Sequence, residues 1–523
     1  MKNQFEPQRR RGAEEGQIRR SGFIPTILQR ALCRAEARPT GSSPRLCASA
    51  VGLAFAILAG GCAVGPDYVK PTTDMPAAFK ESAGWKQAEP ADALPRGKWW
   101  QVFGDAGLNS LEDQVEVSNQ NLRLAEAQYR QSLALAGQAR AALYPTLSAN
   151  ASSSRSAAST SMSSGFGSSA TAGNVSTVHT LSLQAGWETD LWGGVRRNIE
   201  AGEATAQASA ATLASTRLSI QATLAQDWFQ LRALDTQKKL LDDTVYAYGK
   251  TLDLTRNRYR AGVAAAADVA QAETQMKSTQ AQALDVGVQR AQMEHAIALL
   301  VGQAPSSFSV AVQPLLSARP PAVPVGLPSR LLERRPDVAA AERQVAAANA
   351  QIGVAKAAFF PDLSLSASGG WQSATLASWI TAPSRFWSLG PVLAQTLFDG
   401  GLRSARQDQA TAAWEGAVAT YRQTVLAALA DVEDNLAALR ILEQEAAVQD
   451  EALQAARKSL DLTINQYKAG VVSYINVVTA QAAALSAESS ASSLRARRMS
   501  ASAGLIKALG GGWESLRVAE KKD

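Results

Sequence analysis

The chain has 523 residues, with 52 Lys/Arg against 46 Asp/Glu for a formal charge of +6. Residues 1–61 carry ten of the basic residues and four of the acids, so the rest balances at 42 and 42, and a nucleic-acid-binding reading loses its main support. The three cysteines, Cys33, Cys47 and Cys62, all lie near the N-terminus, and the two histidines, His179 and His295, are far apart. The body therefore offers no disulfide framework and no cysteine-rich metal site, and no cofactor is expected.

An apolar run at 46–61 follows Arg45. It is too short to span a bilayer comfortably and fits the hydrophobic region of a secretory signal. It closes on Leu58-Ala59-Gly60-Gly61-Cys62, small residues before a cysteine as in a bacterial lipobox, with Ala59 where leucine is usual. Cys62 is the expected mature N-terminus and lipidation site; the alternative is ordinary signal cleavage beside a chance cysteine. Proline-rich sequence then gives an extended, lipid-anchored segment over 62–105, ordered again around Trp99-Trp100.

A helical pattern runs from Leu108 to Leu143 and stops at Tyr144-Pro145, because proline cannot continue a helix. Leu147, Ala149 and Ala151 alternate with serine and asparagine as a weak strand, and the Ser/Gly/Ala stretch 152–177 reads as a loop. A stronger strand covers 181–192. Leu181, Leu183, Ala185, Trp187 and Leu191 occupy one parity, and Ser182, Gln184, Glu188 and Asp190 the other, the period of two that gives one apolar and one polar face. After Gly193-Gly194 a helix of roughly 95 Å is expected from Val195 to Arg258. Its apolar residues recur at steps of three and four, among them Ile220, Leu224, Trp228, Leu231 and Leu252, as in coiled-coil packing. A turn at Ala261-Gly262-Val263 and an alanine-rich return helix to about Leu300 complete the unit.

The unit then repeats. A proline-rich linker (303–330) leads to a helix ending near Ala358, a strand with Leu363, Leu365 and Ala367, a second strand at 387–398, Gly400-Gly401, another long helix with Val418, Tyr421, Val425, Ala428 and Val432 at heptad spacing, a turn at Ala469-Gly470-Val471, and a return helix to about Leu509. The segment 253–263 matches 461–471 at eight of eleven positions, 208 residues apart, which marks an internal duplication. The expected organisation is a leader (1–61), the anchored segment (62–105), a first repeat (106–302), the linker (303–330), a second repeat (331–512) and a charged tail (513–523).

Four strands with apolar faces and tryptophans near their ends suit a membrane β-barrel with aromatic girdles. Four strands cannot close a barrel, and open edges are not tolerated in lipid. The chain must therefore share a barrel with copies of itself, with long helices continuing it as a tube. Leu183, Trp187, Leu191, Leu363 and Leu365 are expected to face lipid. The rival reading in another class is a lipid-anchored coiled-coil scaffold without a pore.

The lipobox followed by Ala63-Val64-Gly65-Pro66-Asp67-Tyr68, the Leu-x-Glu-Arg-Arg-Pro-Asp segment at 331–337, Phe360-Pro361-Asp362-Leu363-Ser364 and the doubled Tyr-x-Ala-Gly-Val resemble the TolC family of outer membrane efflux proteins, and within it the NodT/OprM-like lipoprotein branch. The resemblance covers essentially all of 62–512. It implies a mainly α fold with a membrane β-barrel part: a homotrimer with a twelve-stranded barrel in the outer membrane and a twelve-helix periplasmic tunnel. The implied function is the exit duct of a tripartite efflux system, passively conducting drugs and other toxic compounds, with a periplasmic adaptor and an inner-membrane resistance-nodulation-division pump as partners. A type I protein-secretion channel shares the fold and is the alternative. No catalysis is implied, and no phosphate-binding loop, zinc-protease motif or nucleophile elbow is present.

The resemblance also assigns sites. The turns with Gly262, Val263, Gly470 and Val471 match the tips that meet the adaptor. The stretch after the second tip, with Ile475, Asn476 and Thr479, matches the narrowest ring of the tunnel, and Thr479 stands where relatives usually place an aspartate. Asp268 and Tyr467 match a carboxylate–phenol pair whose hydrogen bond is expected to help hold the tips closed.

Overall fold

A computed structural model describes residues 63–73, 76, 78–82, 98–157, 175–313, 320–321 and 335–511. The leader, Cys62, the tail and most of the linker lie outside the described residues. The elements run α1 (Ala106–Ser118), α2 (Gln120–Ala141), β1 (Thr146–Ala157), β2 (Val175–Thr189), α3 (Gly194–Arg260), α4 (Ala266–Leu300), α5 (Pro336–Ala357), β3 (Asp362–Ser373), β4 (Arg385–Ala394), α6 (Leu402–Lys468) and α7 (Tyr474–Ala508). The duplication is exact in the length of three helix pairs: α2 and α5 have 22 residues, α3 and α6 have 67, and α4 and α7 have 35. At 1.5 Å per residue α3 and α6 are each about 100 Å long.

The four strands form one antiparallel sheet in the order β1-β2-β3-β4. Register shows why alternation survives across it. Leu183 stands opposite Ala149 and Gly369, Trp187 opposite Leu365, and Leu365 opposite Pro391. Directly paired residues share a face, so one face collects Leu147, Leu181, Leu183, Trp187, Leu365 and Leu389. The other collects Ser148, Ser182, Gln184, Ser364, Ser366 and Ser388. Serine pairs tie that second face together: Ser368 and Ser388 hydroxyls are 2.9 Å apart, and Ser156 and Ser176 3.1 Å apart. The helices that join the sheet, α2, α3, α5 and α6, all do so at one end, through the start of β1 and β3 and the finish of β2 and β4. β1 finishes and β2 begins at the opposite end, where the β3–β4 connection also lies. β1 and β4 are open edges.

Three expected boundaries move. The helix expected over 108–143 is two helices, because Asn119 is extended; its Oδ1 accepts from Leu122 N at 2.9 Å to cap α2, and its Nδ2 donates to Leu300 O at 2.6 Å. Asparagine competes for backbone partners in this way and favours caps over helix interiors. The loop expected from residue 152 is strand to Ala157, held by pairing with β2, which itself begins at Val175. The second strand of each repeat stops early. Leu191 is therefore outside β2, and Trp192 leaves the sheet to stack on Phe360 at 4.8 Å and donate Nε1–H to Pro361 O at 2.8 Å. Residues 395–398 are not strand, and Leu397 and Phe398 are each 89% exposed in the single protomer.

The helices form a layer in which α3 packs on α2, α4, α5 and α7, and α6 on α5 and α7. Ile220, Leu224, Trp228 and Leu231 of α3 meet Val432 and Leu436 of α6, Met499 and Leu505 of α7, and Trp99 in the largest core cluster. Beside it lies a buried ion network. The Asp235 carboxylate accepts from Arg232 Nη1 (2.9 Å), Arg290 Nε (2.7 Å) and Gln313 N (3.0 Å). Glu294 in turn pairs with Arg290 at 3.0 Å. Charges buried this deeply are stable only when paired and hydrogen-bonded; here the network pins the chain leaving the first repeat onto α3 and α4.

The N-terminal segment is a strap along this layer. Val64 N donates to Trp192 O (3.0 Å), Asn349 Nδ2 to Pro66 O (3.0 Å), and Tyr68 Oη to Glu342 (2.7 Å), while Asp67 pairs with Arg197 (2.7 Å). Further on, Lys80 N and Glu81 N donate to Glu433, and Phe79 is buried. The strap thus starts at the strand–helix junction and descends the helices. A Cβ on Gly65 would come within 2.6 Å of Gly353 Cα, so two glycines are needed for that approach.

Candidate functional site

The two turns lie at the ends of the helical hairpins, farthest from the sheet. Each is a Schellman cap. Gly262 (φ 75°) donates to Tyr259 O and Val263 to Arg258 O; Gly470 (φ 79°) donates to Tyr467 O and Val471 to Gln466 O. Glycine fits the left-handed position that such a cap demands. Val263 and Val471 follow it at 63% and 72% exposure, so each turn presents an apolar residue to solvent.

Behind the turns the repeats diverge. Tyr467 is 3% exposed, whereas its counterpart Tyr259 is 50% exposed. Tyr467 joins Leu252, Ala272, Tyr474 and Val477 in a small core that binds all four helix ends, and its ring meets Tyr474 edge-on at 5.5 Å. Burial, followed by the neighbouring Tyr467, Tyr248 and Asp268, pushes the Tyr474 phenol up to about 12.

The hydrogen bond expected between Asp268 and Tyr467 is not formed in this protomer. The Tyr467 hydroxyl donates to Thr255 Oγ1 at 3.3 Å, and the Asp268 carboxylate accepts from Ala265 N at 3.2 Å at the start of α4. A first-turn carboxylate is favoured there by the unsatisfied N–H groups and the helix dipole. Arg258 makes the stronger bridge between the two tips. Its Nη1 donates to Tyr467 O (2.7 Å) and Lys468 O (3.2 Å), and its guanidinium lies 4.6 Å from the Tyr467 ring centroid. It so combines a cation–π contact with capping of the α6 C-terminus. Sequence reasoning missed Arg258, although it stands at one of the three positions where the duplicated motif differs, opposite Gln466.

Ile475, Asn476 and Thr479 are exposed on one face of α7. The Thr479 hydroxyl donates back to Ile475 O at 3.0 Å, which satisfies the polar group without exposing a charge. The same exposed face continues through Ala482, Ala483 and Ser486, so it carries no ionisable group for about three turns. Cys62 lies outside the described residues, but Ala63 beside it is close enough to the strand–helix junction that a Cβ on Gly193 would lie 2.8 Å from Ala63 Cα.

Comparison with known proteins agrees with this architecture. The family model described as "Outer membrane efflux protein" matches residues 111–303 and 327–511. The chain is 35% identical over 430 residues to the pyoverdine export outer membrane protein OpmQ of Pseudomonas aeruginosa, covering 82% of this chain and 90% of the relative. It is 32% identical over 467 residues to the toluene efflux pump outer membrane protein TtgC of Pseudomonas putida, covering 88% and 94%. Among solved structures, the outer-membrane channel OprN superposes with a TM-score of 0.79 at 29% identity, over 86% of this chain and 100% of that one. The open-state MtrE outer membrane channel of Neisseria gonorrhoeae gives 0.75 at 29%, over 87% and 99%. Those relatives are channel proteins. A duplicated strand-and-long-helix chain with a one-face-apolar sheet, matched in this way at both ends, belongs to the outer membrane efflux protein family and is an outer-membrane exit duct.

Proposed function

We propose that three copies of this chain form a passive duct through which small molecules, drugs and other toxic compounds among them, leave the periplasm. The observation that carries this is the sheet, apolar on one face and serine-rich on the other, with both edges open. Closing β4 of one protomer on β1 of the next removes those edges and gives a lipid-facing exterior and a polar bore. The exposed Leu397 and Phe398, next to the β4 edge, gain cover in such a trimer. The tips at Gly262, Val263, Gly470 and Val471 dock a periplasmic adaptor, which joins an inner-membrane resistance-nodulation-division pump. The Ile475, Asn476 and Thr479 face lines the narrowest aperture, with Asp268 and Tyr467 in the packed collar around it. Cys62 carries lipid; its neighbour Ala63 beside Gly193 supports this, because it sets the anchor at the level where the sheet ends. The chain performs no catalysis of its own.

Conductance of the purified protein in a planar lipid bilayer tests the duct: discrete channel steps are expected, and a scaffold without a pore gives none. Intact mass of membrane-extracted protein tests the anchor, and an unmodified Cys62 overturns it. Crosslinking to the adaptor tests the tips; bulky residues at Val263 and Val471 that leave both crosslinking and drug resistance intact refute docking there.

A further inference from the structure

The strands of the sheet carry acids at one end and only positive charge at the other. Between Thr146 and Trp187, and again between Leu363 and Phe398, the sequence holds no aspartate or glutamate. The acids of the barrel segment, among them Glu188 and Asp362, stand at the end from which the helices leave. The same stretches hold two permanent cations, Arg155 and Arg385. Both stand at the far end, Arg385 as the first residue of β4 and Arg155 near the finish of β1. Register puts both on the apolar face: Arg155 is opposite Thr177, in parity with Leu181 and Leu183, and Arg385 is opposite Trp371, which is itself opposite Leu181. Both side chains are exposed, and neither has an ion-pair or hydrogen-bond partner among the described residues.

An unpaired arginine on a lipid-facing surface is costly in hydrocarbon but favourable at headgroup depth. Trp371 beside Arg385 marks that depth, since aromatic side chains gather at the membrane interface. Guanidinium groups there, with no carboxylate to neutralise them, match phosphate, which they bind in a bidentate fork. Closure of β4 on β1 of the next protomer brings the two edge strands, and with them the two arginines, to the same seam.

We propose that the outer rim of the barrel binds the phosphorylated headgroup of the outer-leaflet glycolipid through Arg155 and Arg385. The proposal rests on the trimeric barrel; channel conductance of the same samples reports on that barrel, so the two can fail separately. Purified wild-type trimer in detergent is titrated with bis-phosphorylated lipid A, and bound lipid is counted by native mass spectrometry. The comparisons are dephosphorylated lipid A, the R155Q/R385Q variant, the R155K/R385K variant and competition by inorganic phosphate. Each arginine near an anionic surface is expected to contribute about fivefold in affinity, so the Gln pair should lose roughly twenty-fivefold. The Lys pair should retain most of the binding, and the dephosphorylated lipid should bind wild type as weakly as lipid A binds the Gln pair. Equal binding of the two lipids to wild type overturns the proposal even if the Gln variant does not assemble. Equal binding of lipid A to wild type and the Gln pair also overturns it, as does full displacement by inorganic phosphate, which would mean a site for the free ion.

Discussion

Arg258 and Tyr467 meet in the tip core, yet they differ in what they hold. Arg258 reaches from the end of α3 to two terminal carbonyls of α6 and lies over the Tyr467 ring. Removing it deletes a cation–π contact and charge-assisted hydrogen bonds, together about 1–3 kcal/mol. Tyr467→Phe deletes a single hydroxyl–hydroxyl bond of 3.3 Å and leaves the ring packed. Arg258→Ala should therefore raise single-channel conductance, or sensitivity to large antibiotics, more than Tyr467→Phe does. The reverse order would show that the phenol, not the guanidinium, holds the tips. Glu112 of α1 makes a separate case. It is wholly buried, both of its carboxylate oxygens lack a hydrogen-bond partner among the described residues, and burial, then Glu116 and Asp113, raises it from 4.5 to about 9. Between those values the folded protein keeps a proton that the unfolded chain has released. Stability from this group is therefore complete below about pH 4.5 and declines as pH rises toward 9. Glu112→Gln keeps the neutral shape, so it should raise the melting temperature at pH 8 and give little change at pH 4. Thermal unfolding followed by circular dichroism at the two pH values decides this; an equal shift at both refutes it.

The sheet shows what could be read from residues and what could not. Period-two alternation in 181–191 and 363–367 was visible because each strand carries its whole face pattern within itself. Heptad spacing in α6 was visible for the same reason, and Val418, Tyr421, Val425, Ala428 and Val432 are all buried. Strand ends were not visible, since pairing decides them: β1 runs through Ser152–Ala157 because β2 lies opposite, although its composition reads as loop. The Asp268–Tyr467 bond was misplaced because a carboxylate at the start of a helix has a nearer partner in its own backbone. Arg258 was not legible because its partners, two terminal carbonyls of α6, come beside it only when the two hairpins pack. The face assignment itself can be tested with neighbours. Leu183→Arg puts a charge on the lipid face and should destabilise the folded barrel in lipid vesicles by about 2–4 kcal/mol if it lies near the membrane midplane. Gln184→Arg, on the serine face, should cost far less in the same urea unfolding series. Equal costs would mean that the two faces are not lipid and water.

At the scale of the whole molecule, three copies of a duplicated chain make the tube, while the two repeats of each take different tasks. The first repeat sends Arg258 across to the second, and the second supplies α7, whose exposed face past the tip runs Ile475, Asn476, Thr479, Ala482, Ala483 and Ser486 without a charge. An aperture lined this way discriminates poorly between small cations and anions, because hydroxyl and methyl groups leave no fixed potential at its centre. On the proposed lining, Thr479→Asp places one carboxylate per protomer at the aperture. For a monovalent cation at about 5 Å from each of three carboxylates in water, Coulomb attraction sums to roughly 2–3 kcal/mol before screening. Screening sets the conditions of the test, since the Debye length is about 10 Å at 0.1 M salt and about 3 Å at 1 M. Reversal potentials under a potassium chloride gradient should therefore show weak selectivity in the wild type. They should show a clear cation preference for Thr479→Asp near 0.1 M that largely fades near 1 M. A wild-type channel already strongly cation-selective would place the controlling charges elsewhere in the duct. A Thr479→Asp channel indistinguishable from wild type at low salt would mean that residue 479 does not line the constriction.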